Sequence, residues 1–168
     1  AGTYTLVYTT SPAAGSAGCL GAKEHEGYIL WATQSRLHRI PIDASKADGA
    51  AAWTANAVAN WATFSITDAD FHPMLSHTGQ QILYIGDGNY LAQVDTNVFT
   101  ANALDIRTPL RVKSLGEIGT DVLLGTYISD NVTKTEIIRW NGWSVSFTNS
   151  DQIPEVGINA FLPADNMV

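Results

Sequence analysis

Charge is scarce in this sequence. Only 15% of its 168 residues are Asp, Glu, Lys or Arg, where roughly 25% is ordinary for soluble chains. Basic residues are the scarcer kind, nine against sixteen acidic ones, which leaves a formal net charge of −7. Nucleic-acid affinity depends on Lys and Arg displacing counterions from phosphates, and no basic cluster here exceeds Arg36-His38-Arg39. No nucleic-acid partner is therefore expected. Cysteine is almost missing: Cys19 is the only one, so no internal disulfide supports the fold, and Cys19 reads as a small residue in a Gly/Ala-rich loop. No run approaches the ~20 apolar residues of a membrane-spanning helix, and no membrane span is expected.

Catalytic signatures are missing too. There is no Gly-x-Ser-x-Gly elbow, no phosphate-binding Walker loop and no dinucleotide fingerprint, which removes support for acyl, phosphoryl and hydride transfer. Of the four histidines, His25, His38, His72 and His77, the last two stand five apart with Pro73 between them. That spacing fits neither a helical zinc pair nor one face of a strand. Asp68, Asp70, Asp87, Asp95, Asp121, Asp130 and Asp151 fall near turns, where Asp bonds its own local backbone. Some of them would also suit a glycosidase acid/base pair or calcium ligation, but Asp87-Gly88-Asn89 lacks the later bidentate Glu of a calcium loop. The expectation is a chain that is not an enzyme, with no metal site and no cofactor.

What is present is β-structure. Residues 81–95 (QILYIGDGNYLAQVD) state a hairpin: a short apolar run, Ile82-Leu83-Tyr84-Ile85, then Gly86-Asp87-Gly88-Asn89, then the alternating Tyr90-Leu91-Ala92-Gln93-Val94. Glycines and an Asp-Gly pair supply the positive φ that tight hairpin turns require. The pattern recurs at residues 28–43 and at 121–141, and taking Ile29, Ile82 and Val122 as equivalent gives spacings of 53 and 40 residues. Asn166-Met167-Val168 starts like a fourth copy. A period of roughly 40 to 50 residues is that of four-stranded propeller blades.

Between the hairpins, residues 2–9 and 61–67 alternate as strands do, and residues 11–22 read as a Gly/Ala/Ser loop. Residues 23–27 read as a charged turn, 44–59 as a long Ala-rich loop, and 97–105 as another loop. Phe71-His72-Pro73-Met74-Leu75 reads as the approach to a blade's inner strand, with Pro73 kept out of a central ladder. Residues 108–115 read as the closing strand of the second repeat before a turn at 116–120. Residues 143–147 and 157–163 read as short strands.

The expected fold is thus all-β: antiparallel four-stranded blade-like sheets forming a partial β-propeller of about three repeats plus flanking strands. One unit spans 1–168, with repeats near 23–70, 71–116 and 117–163, and is expected to be a fragment of a longer chain. The run from Phe71 through Asp95, with Leu123-Leu124-Gly125-Thr126, Glu136-Ile137-Ile138-Arg139-Trp140-Asn141 and Ile153-Pro154-Glu155-Val156-Gly157-Ile158-Asn159-Ala160, resembles β-propeller segments of bacteriophage tail and other virion-associated proteins. The resemblance is good over residues 61–168 and weak over 1–60, and it carries no functional residues across. It implies a structural or recognition module of a virion or extracellular cell surface. Its partners would be other virion or surface proteins, copies of itself, or a glycan or host receptor. The alternative is a carbohydrate-binding or carbohydrate-cleaving surface propeller. Five Trp and six Tyr offer flat, rigid contact faces. Trp53, Tyr90 and Trp143 form the candidate interaction surface, the last two because they sit beside predicted turns.

Overall fold

The computed structural model describes residues 18–42, 61–66, 69–128, 135–147 and 149–162. Among these residues there is no helix; all regular structure is β, in three antiparallel sheets of four strands, each an uninterrupted meander. The first sheet holds β1 (Gly21–His25), β2 (Tyr28–Ala32), β3 (Arg36–Pro41) and β4 (Ala62–Thr63). The second holds β5 (Met74–His77), β6 (Ile82–Asp87), β7 (Tyr90–Asp95) and β8 (Val98–Asp105). The third holds β9 (Arg111–Ile118), β10 (Asp121–Tyr127), β11 (Thr135–Trp140) and β12 (Asn149–Ile153). The first strands of successive sheets adjoin, β1 beside β5 and β5 beside β9.

The three hairpins read from sequence are the central pairs of the three sheets: β2 with β3, β6 with β7, and β10 with β11. In the middle one the turn is shorter than the four residues expected. Asp87 pairs with Tyr90, so only Gly88-Asn89 turns, with Gly88 at φ 61°, as the first position of a type II′ turn demands. Gly119 does the same between β9 and β10, at φ 60°. The β1–β2 turn instead puts both Glu26 and Gly27 at positive φ, the type I′ pattern.

The run Ile82-Leu83-Tyr84-Ile85 does not alternate because β6 is covered on both faces. Leu83 and Ile85 enter a core shared with Leu30, Leu37 and Phe64 of the first sheet and its margin, while Tyr84 enters a core with Val122, Leu124, Ile138 and Trp140 of the third. A strand buried on both sides has no polar face to show. Each fully buried Leu or Ile in these seams contributes roughly 1.5–3 kcal/mol of transfer free energy.

Several expectations are corrected. Residues 97–105 are not a loop: all but Asn97, in the turn before it, form the long edge strand β8, and its Asn and Ala residues are tolerated because β7 supplies the ladder and a bulge absorbs the misfit. Residues 108–115 do not close the second repeat, since β9 opens the third sheet by pairing with β10; alternation marks a strand without naming its partner. Most of residues 23–27 belong to β1, whose exposed Lys23 and Glu24 hide it from a hydrophobicity reading. Of residues 61–67, the described ones, 61–66, contain only the two-residue β4. Residues 143–146 are bends and Phe147 has no regular structure, and among the described residues 157–162 contribute a single bridge, Tyr127 to Gly157. The third sheet's outer strand is β12, which the sequence reading passed over. The expected strand at 2–9, the loop at 44–59 and the strand start at 166–168 lie outside the described residues.

Candidate functional site

At one end of the sheets the turns are tied into a single surface. The Gln80 amide, in the β5–β6 turn, donates to Thr120 O (2.6 Å) and Asn141 O (3.0 Å), and accepts from the Tyr84 hydroxyl. Glu117 of β9 accepts from the Thr78 N–H (2.9 Å) and hydroxyl (3.0 Å); these bonds hold its carboxyl below the usual range. Asn141 ends β11 and uses its side-chain oxygen to accept from the N–H groups of Trp143 (3.2 Å) and Ser144 (3.0 Å), an Asx turn. The buried Trp140 indole donates to Ser144 O (2.8 Å). Gly142 adopts φ 95° between Gln80 and Tyr84, where a Cβ would lie 2.6 Å from the Tyr84 hydroxyl oxygen. The result is a fixed loop that holds Trp143 at 69% exposure and Val145 at 98%.

The three aromatic residues singled out from sequence are not brought together. Tyr90 is half-buried beside the β6–β7 turn, at the opposite end of β6 from the Gln80–Asn141 contact. Six strand residues separate those ends, roughly 20 Å. Trp53 lies outside the described residues.

A second feature, a narrow cleft, lies at the same end between the first two sheets, lined by His25, Glu26, Tyr28, Leu30, Arg39, Trp61, Val94 and Asn97. The Arg39 guanidinium sits 4.8 Å from the Tyr28 ring centroid and 4.3 Å from that of Trp61, and donates to Asn97 Oδ1 (2.9 Å). His25 is buried, its Nδ1 2.9 Å from Ser76 Oγ and its Nε2 without a hydrogen-bond partner. Burial pulls the His25 pKa below 6.5, against the opposing charges of Glu26 and Asp95, so the cleft presents a neutral imidazole edge beside a pinned cation. Its free space is about 10 Å³, room for about one water. It suits a single hydroxyl or water and is too small for a sugar ring. Sequence reasoning missed it because it joins four separated segments, none carrying a motif.

The acidic residues do not converge. Asp87 is fully buried, accepting from the Ser65 and Ile66 N–H groups (2.8 and 3.2 Å to Oδ2); it clasps the segment after β4, and burial pushes its carboxyl up despite those bonds. Asp121 pairs with Arg139. Asp95 and Asp151 are exposed, whereas Asp68 and Asp130 lie outside the described residues. His72 is fully buried, with Nδ1 2.8 Å from Gly86 O and Nε2 3.2 Å from Gln34 O. His77 Nδ1 accepts from the Gly79 and Gln80 N–H groups (both 3.2 Å). Among the described residues no three His, Cys, Asp or Glu side chains group as metal ligands do, and no helix is long and apolar enough to cross a membrane.

Fold and geometry thus define a class: an all-β chain whose described residues form three blade-like sheets with a displayed aromatic loop at one end. No protein-family model, curated protein or solved structure matches this chain.

Proposed function

We propose that this chain is a non-enzymatic structural and recognition module, part of a β-propeller, and that its setting is a bacteriophage virion, in a tail or other capsid-associated protein. The observation that carries the recognition role is the β11–β12 loop, where Trp143 projects from a turn fixed by Asn141, Gly142 and Gln80. A turn fixed in advance spares backbone ordering entropy on binding, and exposed aromatic anchors dominate protein interfaces. The polar groups that would suggest chemistry are engaged in joining sheets: Asp87 to Ser65, His72 to Gln34 and Glu117 to Thr78.

Quantitative mass spectrometry of purified particles from the source tests the setting. The chain is expected at a fixed stoichiometry to the capsid protein; its absence from particles would overturn the virion reading. A glycan array with a turnover assay on the same protein addresses the carbohydrate alternative. Saccharide binding abolished by Trp143→Ala would make that alternative the better account.

A further inference from the structure

The sheets use their two faces in a fixed order. On the second sheet, Leu83 and Ile85 face back toward the first while Tyr84 faces forward to the third. On the third sheet, Val122 and Leu124 face back toward the second. Strand alternation therefore turns Leu123 and Gly125 forward, together with Ile137, Arg139 and Asp151 across the β10–β11 and β11–β12 pairs.

That forward face is prepared for another sheet. On the second sheet, Gly86 makes room for Val112 at the start of β9, whose N–H donates to Gly88 O (2.8 Å); a Cβ on Gly86 would stand 2.9 Å from Val112. On the third, Gly125 makes the same room for Ile158, at 2.7 Å from such a Cβ, and the Ile158 N–H donates to Thr126 O (3.1 Å). Residues 157–161 thus sit on the third sheet as the start of β9 sits on the second. They cover its inner part only: Leu123 and Ile137 remain half-buried, Arg139 exposed and Leu162 87% exposed.

The first sheet has the complementary face. Leu30 and Ala32 point forward into the core, so Ile29 points backward and is 45% exposed, with Glu24 beside it across the β1–β2 pair. Arg36 lies on the same backward side of β3 by alternation. The third sheet's forward face carries the Arg139–Asp121 pair and Asp151, and the first sheet's backward face Arg36 and Glu24, so each face offers both signs and stacking them opposes no two surfaces of a single sign.

We propose that the forward face of the third sheet receives the backward face of the first sheet of a second copy, closing two copies into a two-fold ring of six sheets. The packing rule already holds twice inside the chain, first sheet to second and second to third. Applied a third time it meets a surface that this chain itself displays. A head-to-tail contact of this kind ends either in a ring or in an open filament, and six sheets fall within the roughly four to eight blades at which propellers close. The inference rests on the propeller reading of the sheets and is independent of the virion setting.

Sedimentation velocity and light scattering of the isolated chain test it. The expected result is a particle of twice the monomer mass, reduced to monomer by Ile29→Lys and by Leu123→Glu separately, and restored to the doubled mass when the two variants are mixed. Circular dichroism and urea midpoints verify that both remain folded. Should Leu123→Glu unfold, Arg139→Glu on the same face replaces it. A monomeric wild type at all attainable concentrations would overturn the proposal. So would dimers that survive Ile29→Lys but not Leu123→Glu, because that pattern means two third sheets pairing face to face. A chain that forms the ring yet is absent from particles would sink the virion setting and leave this inference standing.

Discussion

The two seams between the sheets are built on different principles. Between the second and third sheets the filling is mostly aliphatic, Leu91, Val122, Leu124 and Ile138, with Tyr84 and Trp140 meeting edge-on at 5.7 Å and buried His77 at the end of the seam beside Glu117. Between the first and second, the apolar set of Leu30, Leu37, Leu83 and Ile85 is bordered by buried polar groups. His72 lies against Phe64 with ring centroids 4.1 Å apart and both nitrogens near carbonyl oxygens, while Asp87 and His25 are buried nearby. The first kind of seam is stabilised by area. The second depends in addition on each buried polar atom finding its partner, because an orphaned one costs roughly 1–3 kcal/mol.

The largest effect is expected in the apolar seam. Trp140→Ala should cost about 3–5 kcal/mol, as large-to-small changes in a closed core do, read as a lower urea midpoint. The loss should be nearly the same at pH 5 and pH 8; a strong pH dependence would mean that this seam is not the apolar filler described. Next comes Gly86→Ala. Its Cβ would stand 2.7 Å from Pro73 Cγ and 2.9 Å from Val112 Cγ1, so the change strains the packing against Pro73, ahead of β5, and against Val112 of the third sheet. Overpacking of this sort costs about 1–3 kcal/mol; a neutral result would show that Pro73 and Val112 move aside freely.

The polar seam should reveal itself through pH. Burial holds His25, in this seam, and His38, on the far face of the first sheet against Trp31 and Thr33, below 6.5, with Arg36 adding to the effect at His38 and Glu26 and Asp95 opposing it at His25. The folded protein therefore resists protonating them: the stability they confer is present above pH 6.5 and is lost as pH falls through their folded values. Asp87 runs the other way. Burial raises it from 3.8, so its contribution is full below that value and is lost as pH rises through its folded value. As pH falls below about 6.5 the histidines' contribution is lost, which lowers the urea midpoint. Replacing both His25 and His38 by Asn should flatten that slope, whereas Trp140→Ala should lower the whole curve and keep its shape. An unchanged slope in the double variant would remove the histidines from the account.

This contrast between seams also separates what the sequence made readable from what it did not. The β6–β7 hairpin was legible because Gly88 and its neighbours announce the turn and the flanking residues are apolar, and the equivalence of β2, β6 and β10 followed from it. Strands β1, β8 and β12 were not legible. They are outer or charge-bearing strands whose backbones complete a ladder without contributing an apolar stripe, so their side chains carry little signal. The misplaced β9 shows the other gap, since its alternation is plain yet only the Gly119-Thr120 turn ties it to β10. Of the candidate site, the position of Trp143 after Asn141-Gly142 was enough to suggest exposure. The cleft of His25, Arg39, Trp61 and Asn97 needed the folded arrangement.

The smallest stability effect should come from the residue given the recognition role. Trp143 is 69% exposed, and Trp143→Ala should leave the urea midpoint within about 0.5 kcal/mol of wild type, as surface substitutions usually do. Gly142→Ala is the informative partner variant. It keeps the indole but asks Ala to adopt φ 95° with its Cβ 2.6 Å from the Tyr84 hydroxyl oxygen, so the loop must shift, at a cost of roughly 1–3 kcal/mol. Tryptophan fluorescence anisotropy with Trp143 as the reporter, the other four indoles replaced by Phe where folding permits, compares the two backgrounds. A rigid display predicts high anisotropy with Gly142 and a clear drop with Ala. If anisotropy is low with the native glycine, the indole moves independently of its turn, and the argument that binding at Trp143 costs little ordering entropy fails with it.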